Sequence, residues 1–264
     1  MAAESFSFSD IFVKRLIEIS GGTLSPEEID QLLDSFSKEA GKYFFTNSSE
    51  SNLIRILSSV FDKAFFLSEL LKYPHEIEIL IAIAANSNYL SDIVVRNPEY
   101  IYQIFDQTYL LHELEQIDLQ NEIIAGLEQF KTYSSKLNFL RQIKKRYILK
   151  IGLSDILGQK DLKTVTEQLS ILAKTINAKL FDISLDEILQ KYKINYPASN
   201  FCLCSLGKLG GNELNYSSDV DLILFFDKNY VIKETKKEYQ EILAETALLF
   251  INSSSQITDH GYIY

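Results

Sequence analysis

The sequence predicts an α+β protein in which a large N-terminal helical bundle is followed by the first part of an α/β sheet domain. Two observations predict it: apolar residues recur every three to four positions over residues 1–195, and short apolar runs bounded by turn residues begin near residue 196. With 264 residues, 46% of them hydrophobic, the chain is long enough to bury a core. We therefore expect a helical region over 1–195 and an incomplete sheet domain over 196–264.

The composition argues against two classes of function. A net charge of −10 argues against nucleic acid as the main partner, because phosphate binding needs a basic surface. No apolar run reaches the roughly 18 residues of a membrane span, and the N-terminus lacks a secretory pattern. We therefore expect no membrane association and a cytoplasmic location.

The first elements are short helices. Ser25, Pro26 and Glu28 have the spacing of a capping box with proline in the first turn. Two similar stretches follow, each with a proline, at Pro74 and Pro98. Because proline disfavours helical geometry in the residue before it, we expect one helix to end before each proline and another to begin there.

Two long helices separated by Gly158 come next. The first carries a basic cluster, for which two interpretations stay open: a solvated helix face, or a positive surface that meets a phosphate-bearing ligand. Both place the cluster on the outward side of the helix. Its members are Arg141, Lys144, Lys145, Arg146 and Lys150.

Residues after 195 predict strands around a glycine-rich turn, then a helix over 234–252 and the opening of another strand at 261–264. Cys202 and Cys204 alternate in the first apolar run, so a strand places both on one face. Two cysteines alone make neither a zinc site nor a disulfide framework. We interpret them as small buried apolar residues in a reducing compartment.

A candidate site lies between the two apolar runs. Asp219 and Asp221 are two positions apart, so a strand directs both carboxylates to one side, where a divalent cation relieves their repulsion. Upstream, Gly207, Gly210 and Gly211 allow the backbone to approach a ligand and to offer N–H groups to an anion. A glycine turn followed by Asp-x-Asp indicates phosphoryl or nucleotidyl transfer with bound magnesium.

The spacing resembles that of polymerase-beta-type nucleotidyltransferases, which carry Gly-Ser after one strand and Asp-x-Asp on the next. Lys208 replaces the serine here, and a lysine can serve a phosphate as a point charge. The longer string "GKLGGNELNYSSDVDLI" resembles the signature of glutamine synthetase adenylyltransferase/adenylyl-removing enzymes. The helical stretches "FLSELLKYPHEI", "YLSDIVVRNPEYI" and "LRQIKKRYILKIGLSDIL" resemble the same family, so the similarity covers most of the chain from about residue 60.

The family resemblance implies a two-metal Mg²⁺ site with Asp219 and Asp221 as catalytic ligands. It implies a loop for phosphate and nucleotide (ADP or ATP) formed by Gly207, Lys208, Gly210 and Gly211, with Ser218 in its support. The implied reaction is phosphorolytic removal of AMP from a tyrosine of glutamine synthetase, with a nitrogen-regulatory P-II protein as a further candidate partner. The family has a third acidic residue beyond a segment like 261–264, so we expect a fragment that is inactive alone.

Two alternatives stay open at this point. One is a non-catalytic helical docking or regulatory module with a remnant nucleotidyltransferase fold. The other is a different nucleotidyltransferase of the same class, such as a uridylyltransferase, which the upstream helical similarity disfavours.

Overall fold

The structure is a computed structural model that describes residues 6–195 and 200–264. The chain groups into two compact units, each built from two segments. One unit contains residues 1–112 and 148–161, and the other contains residues 113–147 and 162–264. Residues 196–199, which begin the first predicted strand, lie outside the described residues. Within the described part, no helix combines the length and the apolar character that a membrane span requires.

The first unit is helical, and its central helix is apolar on almost every side. α5 is buried over Ile79–Ala84, and the helices before and after it pack against it. The helices of this unit are α1 (Asp10–Ser20), α2 (Pro26–Ala40), α3 (Asn47–Ser59), α4 (Lys63–Lys72), α5 (Pro74–Asn86), α6 (Asn88–Arg96), α7 (Tyr100–Ile104), α8 (Gln107–Leu111) and, from residue 148, the C-terminal part of α10 (Tyr133–Ile156).

Local sequence signals set several helix ends in this unit. The capping box at α2 is present, because Ser25 Oγ accepts from the N–H of Glu28 and the Glu28 carboxylate accepts from the N–H of Ser25. α4 ends at Lys72 and α5 begins at Pro74, as predicted. Pro98 differs: it lies in a turn, and the short α7 begins two residues later, at Tyr100.

The second unit combines helices with the strands. α11 is its central element and contacts α9, α12 and α13. Its elements are α9 (Gln116–Leu127), the N-terminal part of α10 (Tyr133–Ile156), α11 (Leu162–Tyr192), β1 (Phe201–Ser205), α12 (Gly207–Gly210), β2 (Leu222–Phe226) and α13 (Tyr239–Ser255). The architecture is therefore α+β, while the predicted domain boundary near residue 195 stays a prediction.

The strands β1 and β2 pair antiparallel, with Phe201 opposite Phe226 and Ser205 opposite Leu222. One face of the pair packs on a core formed by the end of α11 and the start of α13. The other face is open, and it carries both cysteines: Cys202 is exposed and Cys204 is partly exposed. The cysteines share a face as predicted, but the prediction that they are buried is wrong because no helix covers that face among the described residues.

The C-terminal segment does not open a strand, contrary to the prediction. Thr258 and Gly261 form an isolated bridge around a tight turn. The N–H groups of Ile263 and Tyr264 then both donate to the carbonyl of Ser254, at the end of α13. Because these amides are used by the helix end, the segment folds back on α13 and does not extend as a strand.

Three of the five basic residues of the α10 cluster do not face solvent. Arg141, Lys144 and Lys150 are buried, with 2%, 8% and 4% of their surface exposed. Arg141 donates to the carbonyls of Ser253 and Gln256 at the C-terminal end of α13. A helix C-terminus carries partial negative charge, which offsets part of the cost of burying this cation. Both predicted roles for these three residues are therefore wrong.

Lys144 lies between two aromatic rings of the C-terminal segment. Its Nζ is 4.6 Å from the ring centroid of Tyr262 and 4.2 Å from that of Tyr264. Burial lowers the pKa of Lys144 to about 8, whereas the tyrosine rings favour its charged form. In the other unit, Lys150 lies in the same way over the ring of Tyr109.

Candidate functional site

The glycine turn and the acid pair meet at one end of the two-stranded sheet. β1 ends at Ser205 and leads directly into the short α12, while Asp219 and Asp221 precede the first residue of β2. The N–H of Leu206 donates to the carbonyl of Asp221 at 2.9 Å, which continues the strand pairing one step further. The antiparallel register therefore brings together residues that are 12 to 14 positions apart in sequence.

Asp219 and Asp221 lie just outside the strand in which the sequence placed them, because β2 begins at Leu222. The alternation of a strand nevertheless continues through them. Asp219 and Asp221 are exposed, whereas Val220 and Leu222 are partly buried. This alternation places both carboxylates on the same side of the chain, where both are open to solvent. A cation shared between them requires this arrangement.

Gly207 lies close to the Asp221 carboxylate. The φ of Gly207 is +54°, in the left-handed region. A Cβ at this position would lie 2.8 Å from Oδ2 of Asp221. The backbone conformation therefore favours glycine, and a side chain here would also have to displace the Asp221 carboxylate.

Gly210 and Gly211 have a different role from the predicted one. Their N–H groups donate to the carbonyls of Leu206 and Gly207, at 2.8 and 3.0 Å, so these amides hold the turn together. A Cβ on Gly210 would lie 2.7 Å from the carbonyl oxygen of Ser205, so the close approach here is to the chain's own backbone. Gly211 has room for a methyl group, with nearest atoms at 3.7 Å.

Lys208 and Ser218 lie at the two ends of the loop. Lys208 is exposed, and its carbonyl accepts from the N–H of Glu213 at 2.8 Å. Ser218 Oγ donates to Oδ1 of Asn215, and the N–H of Ser218 donates to the carbonyl of the same residue. Ser218 thus closes the polar loop that precedes the acid pair, while a contact of either residue with a nucleotide stays a prediction.

Two residues of α11 that the sequence reasoning missed hold this loop. The buried Ser170 accepts, through its Oγ, from the N–H of Leu214 at 3.1 Å. One helical turn later, Lys174 Nζ donates to Oδ1 of Asn212, which has a φ of +60°. The signal in the sequence was a serine beside the apolar stripe of a long helix, but its partner is 44 positions away.

The donor set fits a magnesium ion that is completed by phosphates. Two exposed carboxylates could supply oxygen ligands, and Gly207 leaves the space beside Asp221 free of a further side chain. Magnesium commonly takes one or two carboxylates, several waters and substrate phosphates. No group of three or more histidine, cysteine, aspartate or glutamate side chains converges as a metal site within the described ranges. The residues present thus suit a magnesium site whose remaining ligands come from substrate phosphates.

The chain belongs to the glutamate-ammonia ligase adenylyltransferase family, whose model matches residues 77–264. It is similar to a bifunctional glutamine synthetase adenylyltransferase/adenylyl-removing enzyme of Mesorhizobium japonicum, with 29% identity over 71% of this chain and 20% of that protein. The enzymes of the same name from Mannheimia succiniciproducens and Idiomarina loihiensis are each 29% identical over 67% of this chain and 19% of their own length. The chain therefore spans about a fifth of the length of these relatives.

Proposed function

We propose that this chain is part of a metal-dependent nucleotidyltransferase of polymerase-beta type that acts on glutamine synthetase. The observation that carries the proposal is the approach of Gly207 to the Asp221 carboxylate, at the end of the sheet where Asp219 is also exposed. A metal-dependent nucleotidyltransferase site needs space for the substrate phosphates next to two oxygen ligands of the metal ion. The family match and the names of the relatives support the choice of adenylyl transfer over uridylyl transfer.

Each site residue has a role in this proposal. Asp219 and Asp221 hold magnesium, which when bound supplies positive charge at the phosphates. Lys208 offers a second, mobile positive charge on the exposed turn. Because Gly207 has no side chain, a phosphate can approach the backbone there. Gly210, Gly211 and Ser218 maintain the conformation of the loop.

The direction of the reaction that we propose is removal of AMP. An oxygen of inorganic phosphate attacks the phosphorus of the AMP–tyrosine phosphodiester, and the bond from phosphorus to the tyrosine oxygen breaks. The tyrosine oxygen takes up a proton, and the products are ADP and the unmodified tyrosine. We expect no turnover from this chain alone, because no third acidic side chain converges with Asp219 and Asp221 as a metal site in the part that the structure describes. Rapid ADP release from adenylylated glutamine synthetase by the isolated chain would contradict this expectation.

Binding of ADP in the presence of Mg²⁺, measured by calorimetry, tests the site directly. We expect binding that needs both Mg²⁺ and the intact acid pair, and we expect Asp221→Ala to abolish it. Asp227→Ala is the matched control, because Asp227 is also exposed and lies at the opposite end of β2. Binding that is unchanged by Asp221→Ala, or equally weakened by both variants, would refute the assigned role.

A non-catalytic docking module is the second candidate function. The observation in its favour is that the described residues contain no third acidic ligand beside Asp219 and Asp221. The same calorimetric experiment separates the two candidates. A chain that binds glutamine synthetase but does not bind ADP at any Mg²⁺ concentration would be a docking module.

A further inference from the structure

The open face of the sheet carries a pair of thiols that the proposed transfer reaction does not use. Cys202 and Cys204 both lie in β1, and their sulfur atoms are 3.5 Å apart. Cys202 is exposed and Cys204 is partly exposed, so a small ligand can reach both from solvent. They are the only cysteines of the sequence, so any thiol chemistry of the chain belongs to this pair.

The strand geometry disfavours a disulfide between these two residues. Residues two positions apart in a strand have Cα atoms separated by about 6.7 Å, near the upper limit for a disulfide. Their Cβ atoms stand side by side at a similar separation, whereas a disulfide needs about 3.8 Å. Pairing with β2 holds this geometry, because Cys202 lies opposite Phe225 and Cys204 opposite Ile223. The pair is therefore kept as two separate sulfur donors.

The donor set also limits which metal ion can bind. Two thiolates select soft metal ions, and zinc almost always takes four ligands in a structural site. Within residues 6–195 and 200–264 there is no third histidine, cysteine or carboxylate in a cluster that could complete such a site. A soft ion that is satisfied by two ligands fits, and Cu(I) is such an ion.

We propose that Cys202 and Cys204 form a two-coordinate site for Cu(I). Binding replaces the two thiol protons: one Cu⁺ and two thiols give one dithiolate complex and two released protons, with no change in oxidation state. The sulfur atoms have to move apart to admit the ion, and rotation of the exposed Cys202 side chain about χ1 provides this movement. Ile223 and Phe225 lie opposite the two cysteines on β2 and are themselves exposed on this open face.

Retention of Cu(I) by the whole chain, under anaerobic conditions and against a chromogenic Cu(I) chelator, tests the proposal. We expect one Cu(I) per monomeric chain and loss of retention in Cys202→Ser and in Cys204→Ser. Because binding releases the two thiol protons, we also expect retention to fall as the pH is lowered. Asp219→Asn is expected to leave Cu(I) retention unchanged, because carboxylates are hard ligands.

A double variant tests whether Cu(I) binding needs both thiols on one face of β1 or needs only two thiols in the chain. Cys204→Ser combined with Ser205→Cys keeps the composition but moves one thiol to the opposite face of β1. We expect this variant to lose Cu(I). Retention equal to that of the original chain, a Cu(I) ion bridging two chains in native mass spectrometry, or equally tight retention of Zn²⁺ would overturn the proposal.

Discussion

Gly207 is the residue on which the geometry of the candidate site depends most directly. Its left-handed φ disfavours a side chain, and a Cβ would also have to displace the Asp221 carboxylate. Gly211, four positions later, has an ordinary φ of −78° and space around it. The two glycines therefore look alike in sequence and differ in what the structure demands of them.

Gly207→Ala should weaken ADP binding in the presence of Mg²⁺ strongly and should destabilise the fold by about 1–2 kcal/mol, because an alanine in the left-handed region is strained. Calorimetry and thermal unfolding measure the two effects. Gly211→Ala is the control and should change neither quantity appreciably. Equal losses of binding in the two variants would show that the close approach at Gly207 has no special role.

Single residues also show the limit of prediction from sequence. The capping box of Ser25 and Glu28 was predictable because both partners lie within four positions. The burial of Arg141 was not, because the carbonyl of Ser253 that it binds is 112 positions away. The rule that cations face solvent fails here because Arg141 donates to a carbonyl at a helix end and Lys144 packs on two tyrosine rings.

At the scale of elements, α11 connects the helical part of the second unit to the candidate site. Ser170 and Lys174, one turn apart, both reach the loop between α12 and β2. Leu209 of α12 and Leu214 of that loop are buried, which adds apolar burial to the two hydrogen bonds. We infer that α11 fixes the position of the loop.

Ser170→Ala should lower the affinity for ADP with Mg²⁺ and cost about 1–3 kcal/mol of stability, because the buried N–H of Leu214 loses its acceptor. Ser184→Ala is a matched control in the same helix. Ser184 is equally buried, and its hydroxyl bonds with the carbonyl of Leu180 and the hydroxyl of Tyr133, away from the loop. Calorimetry on both variants would contradict the positioning role if they lost affinity to the same extent.

Element prediction succeeded where the apolar period was long and failed at the ends of the short strands. The long α10 and α11, separated by Gly158, and the stripe of α13 were readable from the spacing of apolar residues. The segment 261–264 contains the apolar residues of a strand but lacks a neighbouring strand to pair with among the described residues. Hydrogen bonding to the end of α13 decides its conformation instead.

At the scale of the whole molecule, the sheet shares its core with a helix that precedes it. The apolar cluster beneath β1 and β2 takes residues from the end of α11 and from α13. The second unit accordingly includes residues 113–147 as well as 162–264. The residues around the candidate site were predictable as a motif, but their dependence on α11 was not, since it arises only from packing.

A fragment of residues 196–264 should therefore fail to fold cooperatively, because it lacks Leu185, Ile188 and Leu189 of the shared core. A fragment of residues 113–264 contains the complete core and should show a cooperative thermal transition by circular dichroism. A stable, cooperatively folded 196–264 fragment would show that the strands and α13 form an independent domain.

The burial of basic side chains also changes what an approaching molecule encounters. Three cations are withdrawn from solvent, Arg141, Lys144 and Lys150, against one buried carboxylate, Glu50, among the described residues. The exterior is consequently more acidic than the formal net charge of −10 indicates. Nucleotides and inorganic phosphate are anions, so they approach this exterior against a repulsive long-range field. Added salt screens that field, so moderate ionic strength should assist rather than hinder their arrival.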